Sequence, residues 1–358
     1  MRLVRLHCPS SRPGLRAAWV GRALALLGLI GALLVGAGSA WAQGPRRLAA
    51  DDAFVDPMVD PLESGRPLRI GVQRAAVPFA FELTDEKHKG QFRGYSVDIC
   101  LRILQLLREE AKQPFDPRTD VRYVPVSSRT RMVQLLAGQI DMECGSTSNT
   151  PERRRMGVSF SSTIFVSDVA VLMAPGASVH AQTLGRWVQD VRSRKRNIVT
   201  TAGSTSVRHL RELGGGNSNW RLRVTLGANH DDSLDKLVSG EADAFVMDRG
   251  LLATWLAADK RLAGEGFVLS DWSLVPGRLE CYGILTRVVN TRLREGVDRT
   301  LARMRDSGEL TKIYAQWFEQ PLPAHNRVLD LPPGRSLNLP MSPHLSRVFL
   351  TPGYEACP

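Results

Sequence analysis

Cysteine is scarce in this sequence, with five among 358 residues. No two of them form a CxxC or alternate with histidine at zinc spacing, which excludes a zinc module and a dithiol redox motif. There is no G-x-S-x-G and no obvious nucleophile–base pair, so the common hydrolase signatures are absent too. Beyond Trp317 the chain is Pro-rich and has no long apolar run, which argues against the membrane span of a receptor. Acidic residues are missing from the first 22 positions, where Arg2, Arg5, Arg12, Arg16 and Arg22 stand. The formal charge of +11 is therefore partly a property of this leader, and the remainder is scattered. Nucleic acid is not the expected partner. With 43% apolar and 23% charged residues, a disordered or fibrous chain is excluded.

The basic leader precedes an uncharged apolar run, Ala23 to Gly38, and then Ser39-Ala40-Trp41-Ala42. This order of basic, apolar and small-x-small segments reads as a secretory signal cut after Ala42, which exports the mature protein. A retained anchor is the alternative, disfavoured because the run is short for a span and rich in glycine. Cys8 lies before the run, so no cysteine follows the cut to carry a lipid. The other four are Cys100, Cys144, Cys281 and Cys357. An oxidising compartment permits disulfides among them, but sequence alone does not pair them. Cys100 on a predicted helix and Cys144 at a strand end share a lobe; a bond between them and two buried thiols both stay open.

After the leader the pattern becomes regular. Leu68 to Val72 reads as a strand, and Tyr95 to Ala111 carries a helical stripe through Val97, Ile99, Ile103, Leu104, Leu106 and Leu107, stopped by Pro114 and Pro117. Val121 to Val126 is a strand, Thr130 to Ala137 a helix, and Ile140 to Glu143 a strand. The rhythm recurs: strand Asn197 to Thr200, helix Ser206 to Leu213, strand Arg221 to Leu226, helix Asp232 to Val238, strand Ala244 to Met247. The phrases Leu135-Leu136-Ala137-Gly138-Gln139-Ile140-Asp141 and Leu237-Val238-Ser239-Gly240-Glu241-Ala242-Asp243 are alike. Strands alternating with helices argue for mainly parallel sheets flanked by helices. The repetition argues for two similar α/β lobes with a ligand cleft between them.

Six phrases in order make the sequence resemble the periplasmic solute-binding proteins of amino-acid ABC importers, family 3, and within them the glutamate/aspartate-binding branch. They are Gly94-Tyr95-Ser96-Val97-Asp98-Ile99-Cys100, Val126-Ser127-Ser128-Arg129-Thr130-Arg131, Glu143 to Arg153, Phe160 to Phe165, His230-Asp231-Asp232-Ser233, and Ala244-Phe245-Val246-Met247-Asp248. The resemblance implies the two-lobe, type II periplasmic-binding-protein fold, closing like a hinged trap, with crossovers expected near Asp168 to Met173 and Tyr282 to Leu285. The division it suggests is signal 1–42, leader 43–67, lobe 1 at 68–172 and 276–319, lobe 2 at 173–275, and tail 320–358.

An acidic amino acid brings two carboxylates and an ammonium, and each costs several kcal/mol to desolvate unless it meets a fixed partner. A site for it needs more than one arginine, whose planar fork grips a carboxylate, and at least one acid. By resemblance Arg153 clamps the α-carboxylate, Ser146 and Ser148 hydrogen-bond the α-substituents, and Thr201 and Ser204 complete the carboxylate site. Asp248 takes the α-ammonium. Arg74 and Arg131, with Ser128, form the pocket for the distal carboxylate, and His230 is a further ligand contact. The residues alone leave plainer readings open. These are helix capping with a solvated run Arg153 to Arg155, Asp248 as the cap of the next helix, and His230 on a surface loop. Arg131 at a helix start opposes the macrodipole, a placement that local stability does not explain.

The resemblance implies an ABC permease as partner, an acidic amino acid as ligand, no cofactor, no metal, and a monomer without enzymatic activity. The rivals are a dehydratase-like periplasmic enzyme on the same scaffold and a binding protein for another polar amino acid. An enzyme would need a free general acid or base in the cleft, and only Glu143 and Glu280 are left unassigned there.

Overall fold

The computed structural model describes residues 59–83, 86–177, 182–214 and 222–320. The signal segment, its expected cut, most of the leader, and the tail from 321 with Cys357 lie outside the described residues.

The chain begins with β1 (Leu68–Gln73), then a small antiparallel sheet of β2 (Ala75–Ala76), β3 (Ala80–Glu82) and β4 (Phe92–Arg93). Next come α1 (Tyr95–Glu110), the single turn α2 (Pro117–Asp120), β5 (Val121–Val126), α3 (Arg131–Leu136), β6 (Met142–Glu143), α4 (Pro151–Arg155) and β7 (Val158–Phe160). The strand β8 (Phe165–Ser167) leads into β9 (Val169–Met173), α5 (Leu184–Ser193), β10 (Asn197–Thr201), α6 (Ser206–Gly214) and β11 (Arg223–Gly227). The remainder is α7 (His230–Val238), β12 (Ala244–Asp248), α8 (Arg249–Ala258), β13 (Val268–Leu269), β14 (Glu280–Tyr282), β15 (Leu285–Arg287), α9 (Thr291–Asp306) and α10 (Glu309–Phe318).

Two five-stranded sheets follow the same plan. Lobe 1 has the order β5-β1-β6-β15-β7, and lobe 2 the order β11-β10-β12-β9-β13. In each, three strands run parallel, as the strand–helix alternation demands, and two antiparallel strands close the far side. The chain passes between lobes on β8 and β14, which pair antiparallel as a two-stranded ribbon. The crossing therefore lies earlier than the boundary expected at residue 172. The run Val-Ala-Val-Leu-Met of β9 is fully buried and pairs with β12 in lobe 2, so it belongs to that lobe's sheet.

The repeated phrase has a physical cause. Asp141 Oδ2 accepts from the Arg69 N–H at 2.8 Å, and Asp243 Oδ2 accepts from the Asn197 N–H at 2.8 Å. In both lobes an aspartate at the entry of the central strand also donates its own N–H to that same neighbour's carbonyl, at 2.8 Å. Each locks the register of two parallel strands whose carboxyl ends face the cleft. Arg66 and Arg69 bind Asp141 in lobe 1, and Arg196 binds Asp243 in lobe 2.

Helix α1 buries Val97, Ile99, Ile103, Leu104, Leu106 and Leu107, the stripe its spacing predicts. It starts at Gly94, φ 141°, where a Cβ would stand 2.3 Å from the Phe79 carbonyl oxygen. Only glycine fits there. Cys100, on this helix, is joined to Cys144 by a disulfide, and Cys281 is also disulfide-bonded. Phe79 is fully buried in an aromatic cluster with Tyr95, Phe165, Tyr282 and Phe318, so it packs in the core beside the crossing.

Candidate functional site

The cleft floor is built from strand ends and helix starts. Residues 144–150 leave β6 and enter α4, with Thr150 as the cap, its Oγ1 accepting from the Arg153 N–H at 3.3 Å, and Pro151 at the first helical position. This short helix sorts its three arginines: Arg153 is buried, whereas Arg154 and Arg155 are exposed. Arg153 donates from Nη1 to the Ser148 carbonyl at 2.7 Å, and from Nη2 to the Gly203 carbonyl at 3.2 Å in the other lobe. Burial, then repulsion from Arg131, pushes its pKa down to about 9, so it is still a cation at neutral pH.

Arg131, the first residue of α3, is 2% exposed. It donates from Nη1 to Thr147 Oγ1 and to the Ser146 carbonyl at 3.4 Å, and lies 3.8 Å from Glu143. Its Nε has no hydrogen-bond partner. Burial lowers its pKa, opposed chiefly by the charge of Glu143. Its unusual place at a helix start thus has a partner set in the cleft.

Asp248 caps α8 by position, but its side chain makes no capping hydrogen bond. Instead Oδ2 accepts from the Tyr282 hydroxyl, and the buried Oδ1 has no partner. Burial, then the charge of Glu280, raises its pKa to about 8. Glu280 accepts from Thr205 Oγ1 at 3.0 Å, sits 2.9 Å from His209 Nε2 and hydrogen-bonds Ser148. Glu143 accepts from Thr147 Oγ1 at 2.8 Å, and burial raises its pKa.

On lobe 2, Thr201 ends β10 and is fully buried; its Oγ1 lies 3.1 Å from His230 Nδ1 and 2.8 Å from Ser233 Oγ. Ser204 donates to the Thr201 carbonyl at 2.7 Å. His230 opens α7, just after the cap Asn229, and is buried, not on a surface loop. Burial and the Arg131 charge push its pKa down to about 3, so the ring is neutral.

A cavity of about 370 Å³ opens at this end of the cleft, lined by Gln73, Arg74, Ser128, Gln134, His230 and Asp231 among others. Arg74 stands at its mouth: the side chain is 60% exposed and ion-paired with Glu82. Nine of the ten expected site residues are thus buried along one cleft, and the tenth, Arg74, lies at its edge with its guanidinium turned to a surface partner. Sequence reasoning missed Gln73, Thr147 and Tyr282, and gave no role to Glu143 or Glu280. The available signal was the period of two in the crossing strand, which puts Glu280 and Tyr282 on one face. Among the described residues no group of three or more His, Cys, Asp or Glu is placed to hold a metal ion.

Two matching α/β lobes, a paired-strand crossing and a cleft of buried arginines and carboxylates define a hinged ligand-binding protein. The chain belongs to the bacterial extracellular solute-binding proteins, family 3, whose pattern matches residues 68–320. It is 32% identical to the L-glutamate/L-aspartate-binding protein of Pseudomonas aeruginosa, over 81% of this chain and 86% of that one. It is 28% identical to the glutamate/aspartate import solute-binding protein of Escherichia coli, over 86% of this chain and 92% of the relative. Among solved structures, a mutant arginine-binding protein of T. maritima superposes with a TM-score of 0.59 at 21% identity, over 74% of this chain and all of that one. That likeness speaks for the type II fold alone.

Proposed function

We propose that the protein is the periplasmic substrate-binding component of an ABC importer, taking up L-glutamate or L-aspartate by lobe closure and handing it to the membrane permease. The observation that carries this reading is one combination: two buried guanidiniums, Arg131 and Arg153, and a buried carboxylate, Asp248, with one oxygen unpartnered. A cation donor fits Asp248 Oδ1, and the ligand's ammonium supplies it. Arg153, with Ser146, Ser148, Thr201 and Ser204, takes the α-carboxylate. Arg131 and Ser128 take the distal carboxylate, with His230 on the opposite wall and Arg74 swinging in from the mouth. The names of the two relatives support the ligand class, and the signal-like leader supports export with cleavage after Ala42.

Charge balance explains why a third arginine is needed. Once Asp248 has ionised to receive the ammonium, the two guanidiniums of the buried set face three carboxylates, Glu143, Asp248 and Glu280. A zwitterion adds no net charge, but a second ligand carboxylate needs another cation, and Arg74 is the one at hand. An amide ligand cannot satisfy that set, so discrimination of several kcal/mol against glutamine follows. Isothermal calorimetry with L-glutamate, L-aspartate, L-glutamine and L-arginine tests this; equal affinity for glutamine would sink the ligand class and leave the fold untouched. A dehydratase-like activity is the second reading, because Asp248 near pKa 8 beside Tyr282 could hold and give a proton. Turnover of a candidate substrate would favour it, and saturable binding without turnover the importer.

A further inference from the structure

Gln73 ends β1 and is 3% exposed. Its carboxamide makes four contacts in the cleft. Oε1 accepts from Ser146 Oγ at 3.1 Å and from the Ser146 N–H at 3.4 Å. Nε2 donates to Ser128 Oγ at 3.3 Å and lies 3.0 Å from His230 Nε2. The orientation of the amide follows from these partners, since a backbone N–H must meet its oxygen. Ser128 and Ser146 belong to lobe 1 and His230 to lobe 2, so one side chain spans the cleft. All three partners are groups that the reading above reserves for the ligand, and a carboxamide is a planar fork of nearly the shape of a carboxylate.

We propose that Gln73 is a built-in competitor: its amide occupies hydrogen-bonding positions that the ligand's two carboxylates would take, Ser146 at the α-carboxylate and Ser128 and His230 at the distal one, draws the lobes together through His230, and must be displaced on binding. This inference rests on the acidic-ligand reading for the identity of what displaces it. The lost side chain has somewhere to go, because the cavity of about 370 Å³ lies directly against Gln73 and Arg74.

The proton pattern of the cleft gives the inference a second leg. The amide nitrogen only donates, so His230 Nε2 is the acceptor and Nδ1 carries the hydrogen. Nδ1–H donates to Thr201 Oγ1 at 3.1 Å, Thr201 to Ser233 Oγ at 2.8 Å, and Ser233 to the Asn229 carbonyl at 2.8 Å. With the chain running this way, His230 turns a lone pair toward the cleft. A lone pair suits an amide and repels a carboxylate. Exchange of Gln73 for a ligand carboxylate therefore requires the Thr201–Ser233 chain to reverse and His230 to move its hydrogen to Nε2.

The test uses Gln73→Ala, with Gln73→Leu as a second variant that keeps the bulk and loses the hydrogen bonds. Small-angle scattering on ligand-free protein should give a larger radius for both variants than for the wild type. Calorimetry should give L-glutamate affinity raised roughly three- to tenfold, as removal of a closed, binding-incompetent fraction requires. Ring-nitrogen NMR should show His230 as the Nδ1–H tautomer without glutamate and the Nε2–H tautomer with it. Weaker binding in both variants would make Gln73 an ordinary ligand contact and overturn the proposal. An unchanged radius with unchanged affinity would overturn it as well. If the wild type bound no acidic amino acid, the ligand reading would fail, and the ligand-free radii would still decide whether Gln73 holds the lobes.

Discussion

Arg153 reaches across the cleft to the carbonyl of Gly203, 3.2 Å from its Nη2. The guanidinium assigned to the α-carboxylate is thereby also a link between lobes, and both its hydrogen-bonded nitrogens point at backbone oxygens that a carboxylate could replace. Arg153→Ala should weaken glutamate, aspartate and any other bound amino acid together, by ~2–5 kcal/mol, because the partner carboxylate would be buried unpaired. Calorimetry across the ligand series checks this; a loss confined to acidic ligands would exchange the roles of Arg153 and Arg131.

Arg74 invites the opposite expectation. Its pairing with Glu82 is largely exposed, worth at most ~1 kcal/mol, so the side chain is released cheaply. Arg74→Gln should lower glutamate and aspartate affinity selectively and leave any residual glutamine binding alone. Glu82→Gln should keep or tighten acidic-ligand binding, by up to ~5-fold on the same energy scale. Equal losses for glutamate and glutamine in Arg74→Gln would remove Arg74 from the distal pocket.

Binding should depend on pH through Asp248. Its carboxyl, held near pKa 8 by burial and by Glu280, must lose a proton before it can receive an ammonium. Affinity should therefore rise between pH 6 and 8, approaching tenfold per pH unit, with a proton released. His230, pushed down to about 3, adds no slope in that window. Calorimetry in buffers of different ionisation enthalpy reads the proton directly, and a flat profile without release would contradict the assignment.

The two register aspartates should differ in weight. Asp141 is fully buried among Arg66, Arg69 and Arg287, while the Asp243 side chain is 38% exposed. Asp141→Asn should cost ~3 kcal/mol in urea titration at neutral pH, and Asp243→Asn about 1 kcal/mol or less. Burial alone would raise the Asp141 pKa, but the hydrogen bonds from Arg66 and Arg69 outweigh it and hold the carboxyl below its ordinary value. Its folded form binds a proton less readily than the unfolded chain. Its stabilisation is therefore complete above the ordinary carboxylate range and is lost as pH falls through the lowered value. The variant should lose less stability on acidification than the wild type, and parallel curves would refute the role.

Much of the fold was legible because it is written twice. Leu135 to Asp141 and Leu237 to Asp243 encode the same helix end, turn and strand entry, and the parallel strands follow from the alternation. The lobe boundary was less so: β9 is apolar throughout, and such a run reads equally as a crossing or as a buried antiparallel strand. In the site, Arg153 stood out only by resemblance, because nothing in Arg153-Arg154-Arg155 says which side chain turns inward. Gln73 was invisible for another reason. A neutral amide carries no charge argument, and the charged Arg74 beside it carried the whole of that argument at this strand end. Tyr282 and Glu280 were hidden in a three-residue strand whose meaning appears only when it pairs with β8.

Gly203 has φ 82°, and a Cβ built on it would stand 2.5 Å from the Ser128 carbonyl oxygen. Here the two halves of the cleft meet main chain to main chain, with no side chain to compress or rotate. A contact of that kind should end the closing stroke at one point, whatever the size of what is enclosed. Glutamate and aspartate, one methylene apart, should leave the molecule with one and the same outline, and their scattering curves at saturation should superimpose. A membrane partner reading that outline would learn that the trap is shut, and nothing about which of the two lies within.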